Sequence, residues 1–128
     1  MIAITLENLM NSIDALKSLS QKQLKARSAY QISKILKAAD EEISNFNETR
    51  MQLIKKYGEK DETGELKTDE NGNVHIMTEK LQSFNDELQE LLKTFAELNV
   101  NQIPVDELGD ISFTPMEITQ LEYFIDFE

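Results

Sequence analysis

The feature that most limits what this chain can become is an unbroken helical periodicity. Ile32, Ile35, Leu36, Ala39, Ile43, Phe46, Arg50, Leu53, Ile54 and Tyr57 recur at spacings of one, three and four residues. Side chains on a strand alternate with period two, so no strand accommodates this pattern. The stretch predicts one long helix over residues 22–57. Gly58 should end it as a left-handed cap, with Lys55 and Lys56 facing the negative end of the helix dipole. At 1.5 Å per residue such a helix is a rod of roughly 50 Å, longer than a compact domain of this size needs.

The flanking segments carry their own signals. Leu6, Leu9, Ile13, Leu16 and Leu19 form one amphipathic stripe behind a capping Thr5, which predicts a helix over 5–19. Residues 59–77 turn acidic and polar. Asn71-Gly72 stands there between two short extended runs, Leu66 to Thr68 and Asn73 to Ile76, and both turn residues tolerate positive φ, so a β-hairpin is expected over 64–77. Thr78 can cap a third helix over 79–98, in which Leu81, Phe84, Leu88, Leu91, Leu92, Phe95 and Leu98 approach a heptad repeat. Residues 99–105, with Pro104, read as an extended connection, and 109–113 as a short strand or loop. Thr114, Pro115 and Glu117 supply a cap, a first-turn proline and a capping-box acid for a last helix over 115–127. The fold class is mainly α with a small β-hairpin. Its expected architecture is a long antiparallel helical pair with the hairpin at its tip and short N- and C-terminal helices packing at the other end.

At 128 residues one domain, 1–128, is the expectation. Without cysteine there is no disulfide framework, thiolate zinc site or cysteine nucleophile. The N-terminus has neither a basic nor an apolar signal region, and no segment reaches the length of a membrane span. The net charge of −11 is unevenly placed. Residues 1–57 hold nine Lys or Arg against six Asp or Glu, whereas residues 58–128 hold four against eighteen. Between Asp14 and Asp40 the only charges are cations, among them Lys22, Lys25, Arg27, Lys34 and Lys37. Such polarity can join two ends of one fold, two copies of the chain, or a foreign partner.

Candidate chemistry is sparse in this chain. His75, the single histidine, has no partner histidine or cysteine for a transition metal. None of Ser12, Ser18, Ser20, Ser28, Ser33, Ser44, Ser83 and Ser112 lies in a nucleophile elbow. Residues 59–70 match a calcium loop at Gly64, Leu66 and Glu70, yet offer Glu59 and Thr63 where the template wants aspartate and a short acid or amide. Carboxylates are plentiful, but no pair stands in an aromatic-rich cleft pattern and tryptophan is absent. No glycine-rich phosphate loop occurs. The basic run with Tyr30 suggests nucleic acid, but the negative field of the whole chain opposes a polyanion. The expectation is a non-enzymatic protein without metal or cofactor.

Several runs carry a resemblance. They are Ile-Thr-Leu-Glu-Asn-Leu at 4–9, Ala-Arg-Ser-Ala-Tyr-Gln-Ile-Ser-Lys at 26–34, Phe-Asn-Glu-Thr-Arg at 46–50, Leu-Ile-Lys-Lys-Tyr-Gly-Glu-Lys-Asp at 53–61 and Asp-Glu-Asn-Gly-Asn-Val at 69–74. Over nearly its whole length the chain resembles a family of small uncharacterised proteins encoded by tailed phages and prophages of Gram-positive bacteria. The resemblance implies a viral or prophage origin and supplies no catalytic residue. Together these readings lead to an accessory protein that acts through protein contacts, in virion or tail assembly or on a host factor. It would work in the infected cytoplasm or on the virion, and as a homo-oligomer. Asp61, Glu62, Glu65, Asp69 and Glu70 are the candidate contact residues. The alternatives are an acidic mimic of nucleic acid that inhibits a host protein and a protein that sequesters a small molecule.

Overall fold

Residues 2–5 read Ile-Ala-Ile-Thr, a β-branched alternation that needs a partner strand for its backbone groups. In the computed structural model, which describes Met1–Glu128, that partner lies about ninety residues away in sequence. Strand β1 (Ile2–Thr5) pairs antiparallel with β2 (Phe95–Leu98), Ile2 opposite Leu98 and Ile4 opposite Ala96. Those four side chains are buried, whereas Ala3, Phe95 and Glu97 face outward. Sequence periodicity assigned 95–98 to the third helix because Phe95 and Leu98 are three apart. Ala96 and Leu98 fit a two-residue period equally well, and pairing with β1 decides between the two.

Helix α1 (Leu6–Ser20) starts as expected, with the Thr5 hydroxyl accepting from the Asn8 amide at 3.2 Å. Its stripe of Leu6, Leu9, Ile13, Leu16 and Leu19 is buried. Helix α2 (Ala26–Tyr57) begins four residues later than the pattern suggested, leaving Lys22 and Lys25 in the connection ahead of it. Helix α3 (Thr78–Leu92) ends six residues short of its expected limit, and its N-cap position is Met77, which has no hydroxyl to offer. Two short strands follow the connection, β3 (Ile103–Pro104) and, at the C-terminus, β4 (Ile125–Asp126), which pair in parallel. Between them lie a 3₁₀ turn (Val105–Leu108) and α4 (Pro115–Leu121). The expected capping box at Thr114 and Glu117 is formed in both directions. Residues 109–113 form no strand. Helix α4 stops at Leu121, well before residue 127, because competing donors take the carbonyls that follow it. The Gln102 Nε2 donates to the carbonyls of Glu122 and Tyr123, and the Ile103 amide to that of Phe124.

The chain divides into two compact units, residues 1–43 with 94–128, and residues 44–93. Helix α2 contributes to both. The first unit holds nearly all of the buried core: Leu9, Leu16, Ala39, Leu121 and Phe124 are fully enclosed, with Ile4, Ile32, Ile35, Leu98, Ile103 and Ile125 around them. The buried Ser28 hydroxyl ties α2 to the 3₁₀ turn by donating to the Glu107 carbonyl at 2.6 Å. In the second unit, Ser44–Lys93, Phe46 is the only apolar side chain that is buried, and α3 buries none. There α3 lies beside the last turns of α2. Phe84 meets the edge of Tyr57 with ring centroids 6.2 Å apart, and Glu87 meets Lys56 at 3.2 Å.

This difference in burial sets the cost of core truncation. Leu16→Ala should destabilise the first unit by about 3 kcal/mol, while Leu88→Ala, at a half-buried site, should cost about 1 kcal/mol. Urea titrations followed by circular dichroism check the ranking; equal shifts would contradict it.

Candidate functional site

The acidic stretch after α2 is an eight-residue repeat. Gly58-Glu59-Lys60-Asp61-Glu62-Thr63-Gly64-Glu65 is followed by Leu66-Lys67-Thr68-Asp69-Glu70-Asn71-Gly72-Asn73 and by the incomplete Val74-His75-Ile76-Met77. Each copy contributes one short extended segment, and each segment pairs with the other two through the bridges Gly58 to Ile76, Lys60 to Leu66 and Thr68 to Val74. The middle residues close a ring of backbone hydrogen bonds. The Glu59 amide donates to the His75 carbonyl at 2.8 Å, the His75 amide to the Lys67 carbonyl at 3.0 Å, and the Lys67 amide to the Glu59 carbonyl at 2.8 Å. Because every segment is paired on both sides, the cap presents no free strand edge. The second and third segments form the hairpin expected from the sequence, and the first segment, outside that expectation, completes the ring.

Gly58 stands at the first position of the repeat, where the other copies have Leu66 and Val74. It does not adopt the left-handed conformation expected of a helix cap. Its amide still bonds the Ile54 carbonyl at 2.7 Å, so the helical turn is completed there. Glycine is required for space: a Cβ at this position would sit 2.6 Å from the Ile54 oxygen, 2.7 Å from Leu66 Cδ2 and 2.8 Å from Val74 Cγ1.

The loops between segments share one construction. Asp61 Oδ1 accepts from the amides of Thr63 and Glu65 and from the Thr63 hydroxyl, at 2.9, 3.0 and 2.6 Å. Asp69 Oδ1 accepts from the amides of Asn71 and Asn73 at 2.8 and 2.9 Å. Gly64 and Gly72 follow at φ of 86° and 81°, each donating its amide to the carbonyl of its loop's aspartate. Only Gly72 of the Asn71-Gly72 pair has positive φ, so the turn is an Asp-anchored loop and differs from the expected two-residue form with both φ positive. In the third copy Met77 replaces the aspartate, and the chain continues directly into α3.

Charges follow the same register. Glu59 reaches Lys67 at 3.2 Å and the His75 Nε2 at 3.5 Å, which brings together the middle position of all three copies. The Thr63 hydroxyl and the loop amides hold the Asp61 carboxyl below its ordinary value of 3.8, and the Asn73 and Asn71 amides do the same for Asp69. Asp61 and Asp69 therefore serve as loop anchors, their carboxylates turned to their own backbone. Glu62 and Glu70 in the loops and Glu65 at the close of the first loop are exposed and make no ion pair, so they are the members of the acidic set positioned to meet another molecule. No group of three or more His, Asp or Glu side chains converges in a way that could hold a metal ion.

The five cations singled out in the sequence, Lys22, Lys25, Arg27, Lys34 and Lys37, are all exposed in the first unit. Arg27, Tyr30, Lys34 and Lys37 share one face of α2 by helical spacing, and the Lys34 ammonium lies 5.6 Å from the Tyr30 ring centre. Lys22 acts elsewhere, adding to the hydrogen bonds from Thr114 that lower the Glu117 carboxyl. The first unit also has a surface groove of about 930 Å³ beside Met1–Ala3, with Asn101, Gln102, Tyr123 and Phe127 among its walls and Glu122, Asp126 and Glu128 along it. Comparison of the chain with protein-family models, curated proteins and solved structures found no match.

Two outcomes test the cap. Because the Asp61 and Asp69 carboxyls titrate lower in the folded chain than unfolded, their contribution is present above the ordinary value of 3.8 and is lost as pH falls through the lower folded values. The amides of Thr63, Glu65, Asn71 and Asn73 should therefore hold their chemical shifts between about pH 5 and 7 and lose protection below about pH 4. Gly58→Ala should destabilise the cap by about 2 kcal/mol, with faster hydrogen exchange at Glu59, Lys67 and His75; unchanged exchange would show that the ring tolerates a side chain there.

Proposed function

We propose that this chain is a phage accessory protein that works through protein contacts, in virion or tail assembly or on a host factor, and that the acidic cap of the second unit is its contact element. The observation that supports this is the cap itself. A closed ring of backbone bonds and two Asp-anchored loops hold Glu62, Glu65 and Glu70 on ordered backbone, so little conformational entropy remains to be lost when a partner engages them. Residues 58–77 hold six Asp or Glu against two Lys, which favours a basic partner surface and speeds encounter at low salt. The resemblance to small phage proteins noted in the sequence supplies the setting, the infected cell or the virion.

The test is a comparison between the wild-type protein and the triple variant Glu62→Lys, Glu65→Lys and Glu70→Lys, each immobilised and exposed to lysate of phage-infected cells and to purified virions. The proposal expects a basic phage or host protein to be retained by the wild type, released by moderate salt and lost in the variant, with helicity unchanged. Identical retention by both proteins would place the contact elsewhere on the chain.

A further inference from the structure

The two helices of the second unit leave an apolar side uncovered. Helix α3 is amphipathic along its length and buries no residue, and Met51, Met77 and Leu81 are between 37% and 42% exposed. By helical spacing, Met51 and Ile54 on α2 share one side with Leu81, Leu88 and Leu92 on α3, accompanied by the amides of Asn47 and Asn85. The only charge on that side is Arg50, which is exposed and has no ion-pair partner. A pair of helices covers each stripe from one direction only, and the usual completion is a second pair.

Charge identifies what completes it. Residues 44–57 carry three Lys or Arg against one Glu, a net of +2, whereas residues 78–93 carry two Lys against four acids, a net of −2. The Lys56 and Glu87 pair, at 3.2 Å, sets the two helices in register. On these antiparallel helices their neighbours Lys55 and Asp86 stand within about 3 Å of one another in height, each turned about a quarter-turn from the paired residue toward the outer flank of its helix. Lys55 makes no ion pair, and Asp86 accepts only from Gln82, at 2.8 Å. A second copy related by a two-fold axis parallel to the helices would set Lys55 of each copy on the same flank of the bundle as Asp86 of the other. Laying α2 against α2 would instead set the net positive charge of residues 44–57 against itself.

We infer that the apolar side of α2 and α3 in the second unit binds the same side of a second copy, making a four-helix bundle in which α2 of each copy lies beside α3 of the other. The mass in solution, by light scattering, should be twice the 14.7 kDa of the chain. Lys55→Asp and Asp86→Lys should each weaken the dimer at least about tenfold, since each sets like charges together twice. An equimolar mixture of the two variants should recover wild-type affinity as a heterodimer, because opposite charges then meet at both places. Leu81→Lys, at an exposed position, should give a folded monomer by circular dichroism. A monomeric wild type at concentrations on the order of 100 µM would overturn the inference. So would a dimer indifferent to these substitutions, or a mixture that fails to recover.

Discussion

Helix α2 has to find cover for its apolar stripe along 32 residues, and it finds two different solutions. Its first half lends Ile32, Ile35 and Ala39 to a core already built from α1, α4 and four short strands, and those side chains are almost wholly buried. Its second half has only α3 and the cap for company, and apart from Phe46 its apolar side chains stay partly accessible. Hydrophobic stabilisation follows the area removed from water, so one continuous helix carries a well-covered stretch and a bare one. The bare stretch is where association with another molecule has most to offer.

The cap solves a problem that a short β-hairpin would leave open. Two strands alone are marginal in water and expose both edges, whereas three segments that pair in a ring expose none. Eight residues per copy is enough for one extended segment and one loop, and the aspartate of each full copy satisfies the amides its loop would otherwise leave to solvent. The same economy explains why Gly58 is needed where Leu66 and Val74 occupy the equivalent positions: the end of α2 passes too close for a side chain.

Charge distribution looks different in the fold from how it looks along the chain. The basic half and the acidic half of the sequence do not become a basic and an acidic body. Residues 94–128 fold back into the same unit as residues 1–43, bringing eight acids and no cation to the six cations there. Lys22 is one product of this mixing, since its charge is felt by Glu117 on α4. In the cap, Glu62 and Glu70 stand at the tips and Glu65 closes the first loop, while Asp61 and Asp69 anchor the loops.

The sequence by itself determined the helices wherever long periodic stripes or explicit caps marked them. The stripe of α2, the Thr5 cap of α1 and the box at Thr114 and Glu117 all depend on neighbours within four residues. It also contained the loop signal, Asp-Glu-x-Gly twice at a separation of eight, which places the acidic tips. What only the tertiary structure decided were the elements whose partners are distant in sequence. Phe95–Leu98 satisfies both a helical and a strand period, and Ile2–Thr5 settles the choice. Ile125–Asp126 leaves the helix because Ile103 offers a ladder. The third side of the cap exists because the end of α2 delivers Glu59 between Lys67 and His75. Local signals are energies of adjacent residues and can be read in order; strand pairing is a choice between partners, and only the folded chain brings them within hydrogen-bonding distance.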